Sequence, residues 1–167
     1  MSTHFFELYD LPISFHPDQD EVRRKFLEVS RQNHPDISAG AEKIDVSANN
    51  NQAYKTLKNK YLRVRYVLKL LGLGIEETDT LPSDFLMDMM EWNERIEDAS
   101  HGDIEQKKEL RQEFTSFKND VESTLDELTH AYDELKDEAT LKRVKEICLK
   151  QKYLLRLNES IDNFAGL

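Results

Sequence analysis

Cysteine occurs once in the 167 residues, at Cys148, so no disulfide, Cys-x-x-Cys redox pair or cysteine-based zinc or iron–sulfur ligand set can form within the chain. A reducing compartment suits such a composition. Glycine (5) and proline (4) are scarce, and Val, Ile and Thr never alternate at period two between turn signals, so strands are not supported. Apolar runs stop after a few residues, far short of the roughly 20 needed to span a bilayer. The opening Met1-Ser2-Thr3-His4-Phe5-Phe6-Glu7 has neither a basic region with a long apolar stretch behind it nor the Arg-rich, acid-poor character of a transit peptide. The sequence predicts a soluble protein of the cytoplasm, with the mitochondrial matrix as the alternative if a leader preceded this numbering. Walker-type loops, Gly-x-Ser-x-Gly elbows and Cys/His nucleophile patterns are missing, so no catalytic residue, cofactor or resident metal is expected. One Glu-x-x-His occurs, Glu127 to His130, where a di-iron carboxylate site needs two.

Charge is abundant instead. Charged residues make up 34% of the chain and the formal net charge is −10. That acidity argues against nucleic acid as a partner, because a phosphate backbone rewards Lys and Arg. The total conceals an asymmetry: residues 1–75 hold 11 Lys and Arg against 9 Asp and Glu, a balance of +2, whereas residues 76–167 hold 12 against 24, a balance of −12. Two modules with different partners are implied.

Hydrophobic residues recur at helical spacing throughout. A short apolar segment from Phe5 to Leu11 stops at Pro12. Asp18 reads as the cap of a helix whose Val22, Phe26 and Val29 share one face, and Pro35 ends it. Periodicity alone gives one helix over residues 41–71, with Ala53, Tyr54, Leu57, Tyr61, Val64 and Leu68 at helical spacing and closing at Gly72 and Gly74. Ser83 reads as the cap of the next helix, to about Ser100. A long helix follows from Asp103, with a stripe at Leu110, Phe114, Phe117, Val121, Leu125, Leu128, Tyr132 and Leu135. The last runs from about Glu138 to Phe164, its apolar face assigned to Leu141, Val144, Cys148 and Leu155. The second half is thus an antiparallel three-helix bundle and the chain all-α.

His-Pro-Asp occurs twice. At His16-Pro17-Asp18 it precedes a helix, where Asp18 is explained as a cap and His16 as an exposed turn residue. The second copy, His34-Pro35-Asp36, follows a helix carrying Arg23, Arg24, Lys25, Arg31 and Gln32, and precedes one containing Asn51-Gln52-Ala53-Tyr54-Lys55-Thr56-Leu57. In this order residues 4–71 resemble the J domain of J-protein co-chaperones. The resemblance implies docking on a DnaK-type ATPase chaperone through His34, Pro35, Asp36, Arg24, Lys25, Arg31 and Gln32, with stimulation of that partner's ATP hydrolysis and no chemistry of its own. It also implies a break near Asn59. On a helical wheel Arg24 and Arg31 lie on one face, away from Val22, Phe26 and Val29, where they can steer an acidic partner. Asn33 and Ile37 stand where many J domains have Tyr and Lys, which bears on the strength or partner range of the contact.

The second half, with Phe85-Leu86-Met87, Glu91, Glu94 and Lys152-Tyr153-Leu154, resembles the C-terminal bundle of the HscB family, J proteins dedicated to iron–sulfur cluster biogenesis. The domains expected are 1–73 (J domain), 74–82 (linker) and 83–167 (scaffold-binding bundle). The wheel contributes independently. Met89, Trp92 and Ile96 fall within about 40° of Phe85, a core stripe, while Leu86, Met87 and Met90 fall between about 100° and 200°, interleaved with Glu94 and Glu97. A second apolar strip turned from the core suits a partner. The resemblance assigns Leu86, Met87, Met90, Glu91, Glu94, Asp98 and Tyr153 to binding an IscU-type scaffold protein, which a monomer then presents to an HscA-like chaperone. Tyr153 and Leu157 are placed off the last helix's main stripe. A J protein for another client and a coiled-coil structural adaptor are the competing readings.

Overall fold

Helix starts are fixed by short polar side chains that take up amide groups no earlier carbonyl can reach, and these caps set the frame of the computed structural model, which describes residues 4–33 and 41–165. His34-Pro35-Asp36 and the residues that follow to Gly40 lie outside the described residues. The chain divides into two compact units, Met1–Gly74 and Ile75–Leu167. Among the described residues regular structure is helical throughout, with no strand.

The first unit contains α1 (Phe5–Leu8), α2 (Gln19–Gln32), α3 (Ala41–Lys58) and α4 (Lys60–Leu70). Asp18 caps α2 by accepting from the amides of Asp20 (2.9 Å) and Glu21 (3.2 Å), so the first His-Pro-Asp is a helix start. His16 beside it is half-buried rather than exposed. The uninterrupted helix that periodicity gives over 41–71 is corrected to two. Asn59 sits between them with extended backbone and caps α4 by accepting from the Leu62 amide at 3.0 Å. Regular apolar spacing runs through the break because both helices pack on one core, made by Phe6, Tyr9, Phe15, Val22, Ala53, Leu57, Val64, Val67 and Leu68.

Two buried polar side chains pin these helices. Asn50 accepts the Tyr9 hydroxyl at 2.8 Å and donates to the Phe26 carbonyl (3.1 Å) and the Ser30 hydroxyl (3.0 Å), which ties the end of α1 and the middle of α2 to α3. Burial pushes the Tyr9 hydroxyl far above its ordinary pKa, so it remains a donor at any working pH. Arg63, also buried, donates to the carbonyls of Phe15 (2.8 Å) and Leu57 (2.7 Å), closing the C-terminal end of α3 against α4.

The second unit contains α5 (Ser83–Ser100), α6 (Ile104–Leu135) and α7 (Glu138–Ala165). Ser83 is the first helical residue and not the cap; Pro82 occupies that place without a side-chain bond. Asp103 and Gln106 form a reciprocal capping box at α6. Leu81, Phe85, Met89, Ile96, Leu110, Phe114, Leu149, Leu154, Leu157 and Ile161 build one core, with Trp92, Phe117 and Val121 against its edge. Leu135, at the last turn of α6, is exposed. On α7 the buried positions run Leu141, Val144, Cys148, Leu149, Gln151, Leu154, Leu157, Ile161, so Leu155 is exposed and Leu157 is core, the reverse of the expectation. The cause is drift. A strict alternation of three and four slides around a long helix, and the partner of α7 changes along its length.

Of residues 74–82, expected as a linker, Gly74 closes the first unit and 75–82 belong to the second. Ile75 packs on the core and Leu81 is part of it. Asp79 accepts from the Glu76 amide (2.7 Å) and from Lys145 Nζ on α7 (2.9 Å), and these bonds hold its carboxyl below the usual range.

Two outcomes follow. Arg63→Met strands buried carbonyls and should lower the first unit's stability by about 3 kcal/mol in urea unfolding. Asp79, with its folded pKa below the unfolded one, stabilises above the ordinary carboxylate pKa, and that contribution is lost as pH falls through the lowered value. Asp79→Asn should therefore show a smaller drop in urea midpoint between neutral pH and about pH 3 than the parent chain.

Candidate functional surfaces

In α5 the core claims one flank of the helix, and the apolar residues left over are turned to solvent. Phe85, Met89 and Ile96 are buried, while Met87 is 70% exposed, Met90 65% and Leu86 39%. Glu94 and Glu97 are exposed on the same side, as the wheel requires. Methionine is well suited here: an unbranched, polarizable side chain adapts to the shape of whatever covers it.

The seven residues expected to bind a scaffold do not form one flat patch. Leu86, Met87, Met90 and Glu94 share the outward strip. Glu91 instead lines a cavity with Asp88, Trp92, Arg95 and Phe117, and Asp98 lines a neighbouring cleft with Glu109 and Glu113, so both have turned toward α6. Tyr153, 37% exposed, is on α7. The helices α5 and α7 run in the same sense, and Lys150 Nζ sits 5.3 Å from the Phe85 ring centre. One turn further along each, Tyr153 stands at the height of Met89 and Met90. Its ring is topped by Arg156, 5.8 Å away. Among the described residues no cation pairs with Glu91, Glu94 or Asp98, so their charge is available to a partner.

On the first unit, the expected chaperone-binding residues separate by availability. Arg23, Arg24, Arg31 and Gln32 are exposed on α2. Arg24 makes a local pair with Glu21 at 2.9 Å. Lys25 does not belong to that open face: its side chain is 18% exposed and its ammonium is held by Asp10 at 2.9 Å. Asp10 has left-handed backbone, φ 50°, which turns the chain after α1 and places this carboxylate. Leu27, 41% exposed, lies one turn from both Arg23 and Arg31.

Sequence reasoning passed over Asn50, Arg63 and the Trp92–Phe117 cavity. The first two carried a signal: each is a polar residue in a core stripe, Asn50-Ala53-Leu57 and Arg63-Val64-Val67-Leu68. The cavity had none, because it depends on the facing of α5 and α6.

Comparison with known proteins gives a consistent set. The family model described as the HSCB C-terminal oligomerisation domain matches residues 81–162. A co-chaperone protein HscB homolog of Shewanella amazonensis is 30% identical over 95% of this chain and 97% of its own length. Another, from Psychromonas ingrahamii, is 31% identical over 92% of each. The crystal structure of human co-chaperone protein HscB aligns with a TM-score of 0.70 at 28% identity, covering 97% of this chain and 82% of that one. Chaperone HscB from Vibrio cholerae shares the fold, with a TM-score of 0.64 over 96% of each chain at 24% identity.

The exposed strip and the core stripe should respond differently to truncation. Met87→Ser and Met90→Ser are expected to leave stability within about 0.5 kcal/mol, while Phe85→Ala should cost about 3 to 4 kcal/mol, as read by thermal and urea unfolding.

Proposed function

The chain belongs to the HscB family, co-chaperones of iron–sulfur cluster biogenesis, and on that premise we propose that α5 holds an IscU-type scaffold protein while the first unit engages a DnaK-type, HscA-like ATPase and speeds its ATP hydrolysis. The observation that carries this reading is the second apolar strip of α5, Leu86, Met87 and Met90, exposed beside unpaired carboxylates. An apolar centre with a charged rim is the ordinary anatomy of a protein interface. Tyr153 extends it from α7.

The first unit acts through contact and not through chemistry. Arg24 and Arg31, with Gln32, draw an acidic partner surface toward α2. His34, Pro35 and Asp36 carry the stimulation in this reading, on the strength of the J-domain resemblance: Asp36 offers a carboxylate to an arginine or to amide donors, His34 a hydrogen-bonding imidazole, and Pro35 a fixed backbone. Such a loop biases the partner's conformational equilibrium by binding its two states unequally. Lys25 enters only as support, since Asp10 holds it. Joining the two units in one chain raises the local concentration of scaffold beside the ATPase without any further contact.

The working form is a monomer in the cytoplasm. The core stripes of α6 and α7 are consumed within the bundle, and the exposed apolar residues left on them among the described residues, Ile104, Leu135, Tyr153 and Leu155, do not repeat at heptad spacing along a seam. No helix among the described residues is long and apolar enough to cross a membrane. A monomeric mass in sedimentation is expected, against the oligomer in the family model's description.

Single-turnover ATPase measurements with Asp36→Asn should lose stimulation while the scaffold still binds; undiminished stimulation overturns the chaperone half. Co-purification with the scaffold should be lost with Leu86→Ser and Met90→Ser combined, at least a tenfold weakening. Retention of the scaffold by that double variant overturns the strip.

A further inference from the structure

Beside the strip, between α5 and α6, lies a cavity of about 300 Å³ whose walls combine aromatic rings and carboxylates with one cation, Arg95. Trp92 stacks on Phe117 with ring centres 5.7 Å apart and meets Phe114 edge-on at 5.1 Å. Asp88 and Glu91 stand exposed at the rim, and no cation among the described residues pairs with either. A hollow of about 250 Å³ shares Asp88 and Phe117 with it and adds Asp120, Val121 and, from α7, Lys150, so the furrow continues along α6 with a cation at its far wall.

Aromatic walls below carboxylates suit a basic side chain. Ring faces attract a cation through their quadrupole, and the carboxylates accept its N–H groups. The chain already displays that preference. Arg95 lies 4.5 Å over the Trp92 ring, with its guanidinium bonded to Glu113 on α6. Arg95 makes its ion pair with Glu113, so within the cavity it shares with Asp88 and Glu91 the carboxylates outnumber the one cation and the balance stays negative.

We propose that this cavity receives a basic side chain, arginine by preference, from the scaffold protein docked on Leu86, Met87 and Met90; the proposal rests on the scaffold reading above. Glu91 follows Met90 directly and lines the cavity, so a partner that covers the strip and wraps around α5 reaches it without a gap. Asp88, Trp92 and Phe117 then join the interface as specificity-determining contacts. Trp and Arg are the residue types in which binding energy concentrates, and here one supplies the wall and the other the occupant.

Trp92 is the only tryptophan in the chain, so 5-fluorotryptophan labelling gives one fluorine resonance from within the cavity. The full-length labelled protein is titrated with unlabelled scaffold, and affinity is measured in parallel by calorimetry at two salt concentrations. Expected are a saturable shift of the Trp92 resonance, binding about five- to tenfold weaker for Asp88→Asn, and a shallower salt dependence in that variant. Asp88 is exposed, so its replacement does not threaten folding. Tight scaffold binding that leaves the resonance unmoved, or is equal in Asp88→Asn and the parent, overturns this proposal alone. Absence of scaffold binding by the parent chain overturns the scaffold reading and this proposal with it.

Discussion

A helix of period 3.6 can give its whole length to only one core, and in α5 that limit decides what the bundle becomes. Phe85, Met89 and Ile96 take the buried flank. Leu86, Met87 and Met90 lie at angles from which the same core is unreachable, so burying them would require rotating the helix and exposing the first set. The apolar strip therefore persists on the surface as a consequence of the packing beneath it. The carboxylates around it repel a second copy while leaving a basic partner welcome.

The first unit solves a different problem. With nine apolar side chains buried in its core among the described residues, it relies on buried polar groups to fix how its helices meet. Asn50 joins Tyr9, Phe26 and Ser30, and Arg63 joins Phe15 to the end of α3. Polar contacts of this kind are directional, so they determine the register of α2 on α3 more sharply than aliphatic packing does. The basic face of α2 is aimed by them, through the bonds of Asn50 in mid-α3 to Phe26 and Ser30.

The fold class and helix order were legible because apolar spacing and short polar caps are local properties: Asp18 and Asp103 open the helices that their positions suggest. Non-local features were read less well. The turn at Asn59 hides because apolar spacing continues through it, and Leu155 and Leu157 exchange roles because α7 is long enough for phase to drift. Residues 75–82 look like a tether in composition, yet Leu81 and the Asp79–Lys145 pair weld them to the bundle. The α5 strip was legible for the opposite reason: Phe85 to Ile96 spans only three turns, over which the wheel accumulates little error. Lys25 shows the remaining limit, since helical angle says nothing about a carboxylate placed beside it by the preceding loop.

The core partners of α5 have a bearing on how the protein is made. Leu149, Leu154, Leu157 and Ile161 all belong to α7, which leaves the ribosome after α5 and α6. Until those residues emerge, α5 has no complete surface to fold against, and its core stripe and its outward apolar strip face water together. The hairpin of α6 and α7, whose contacts are close in sequence, is the part able to form quickly, and α5 docks onto it afterwards. A chain that tends another folding machine thus passes through its own interval of exposed apolar surface, guarded in the meantime by the negative charge distributed along all three helices.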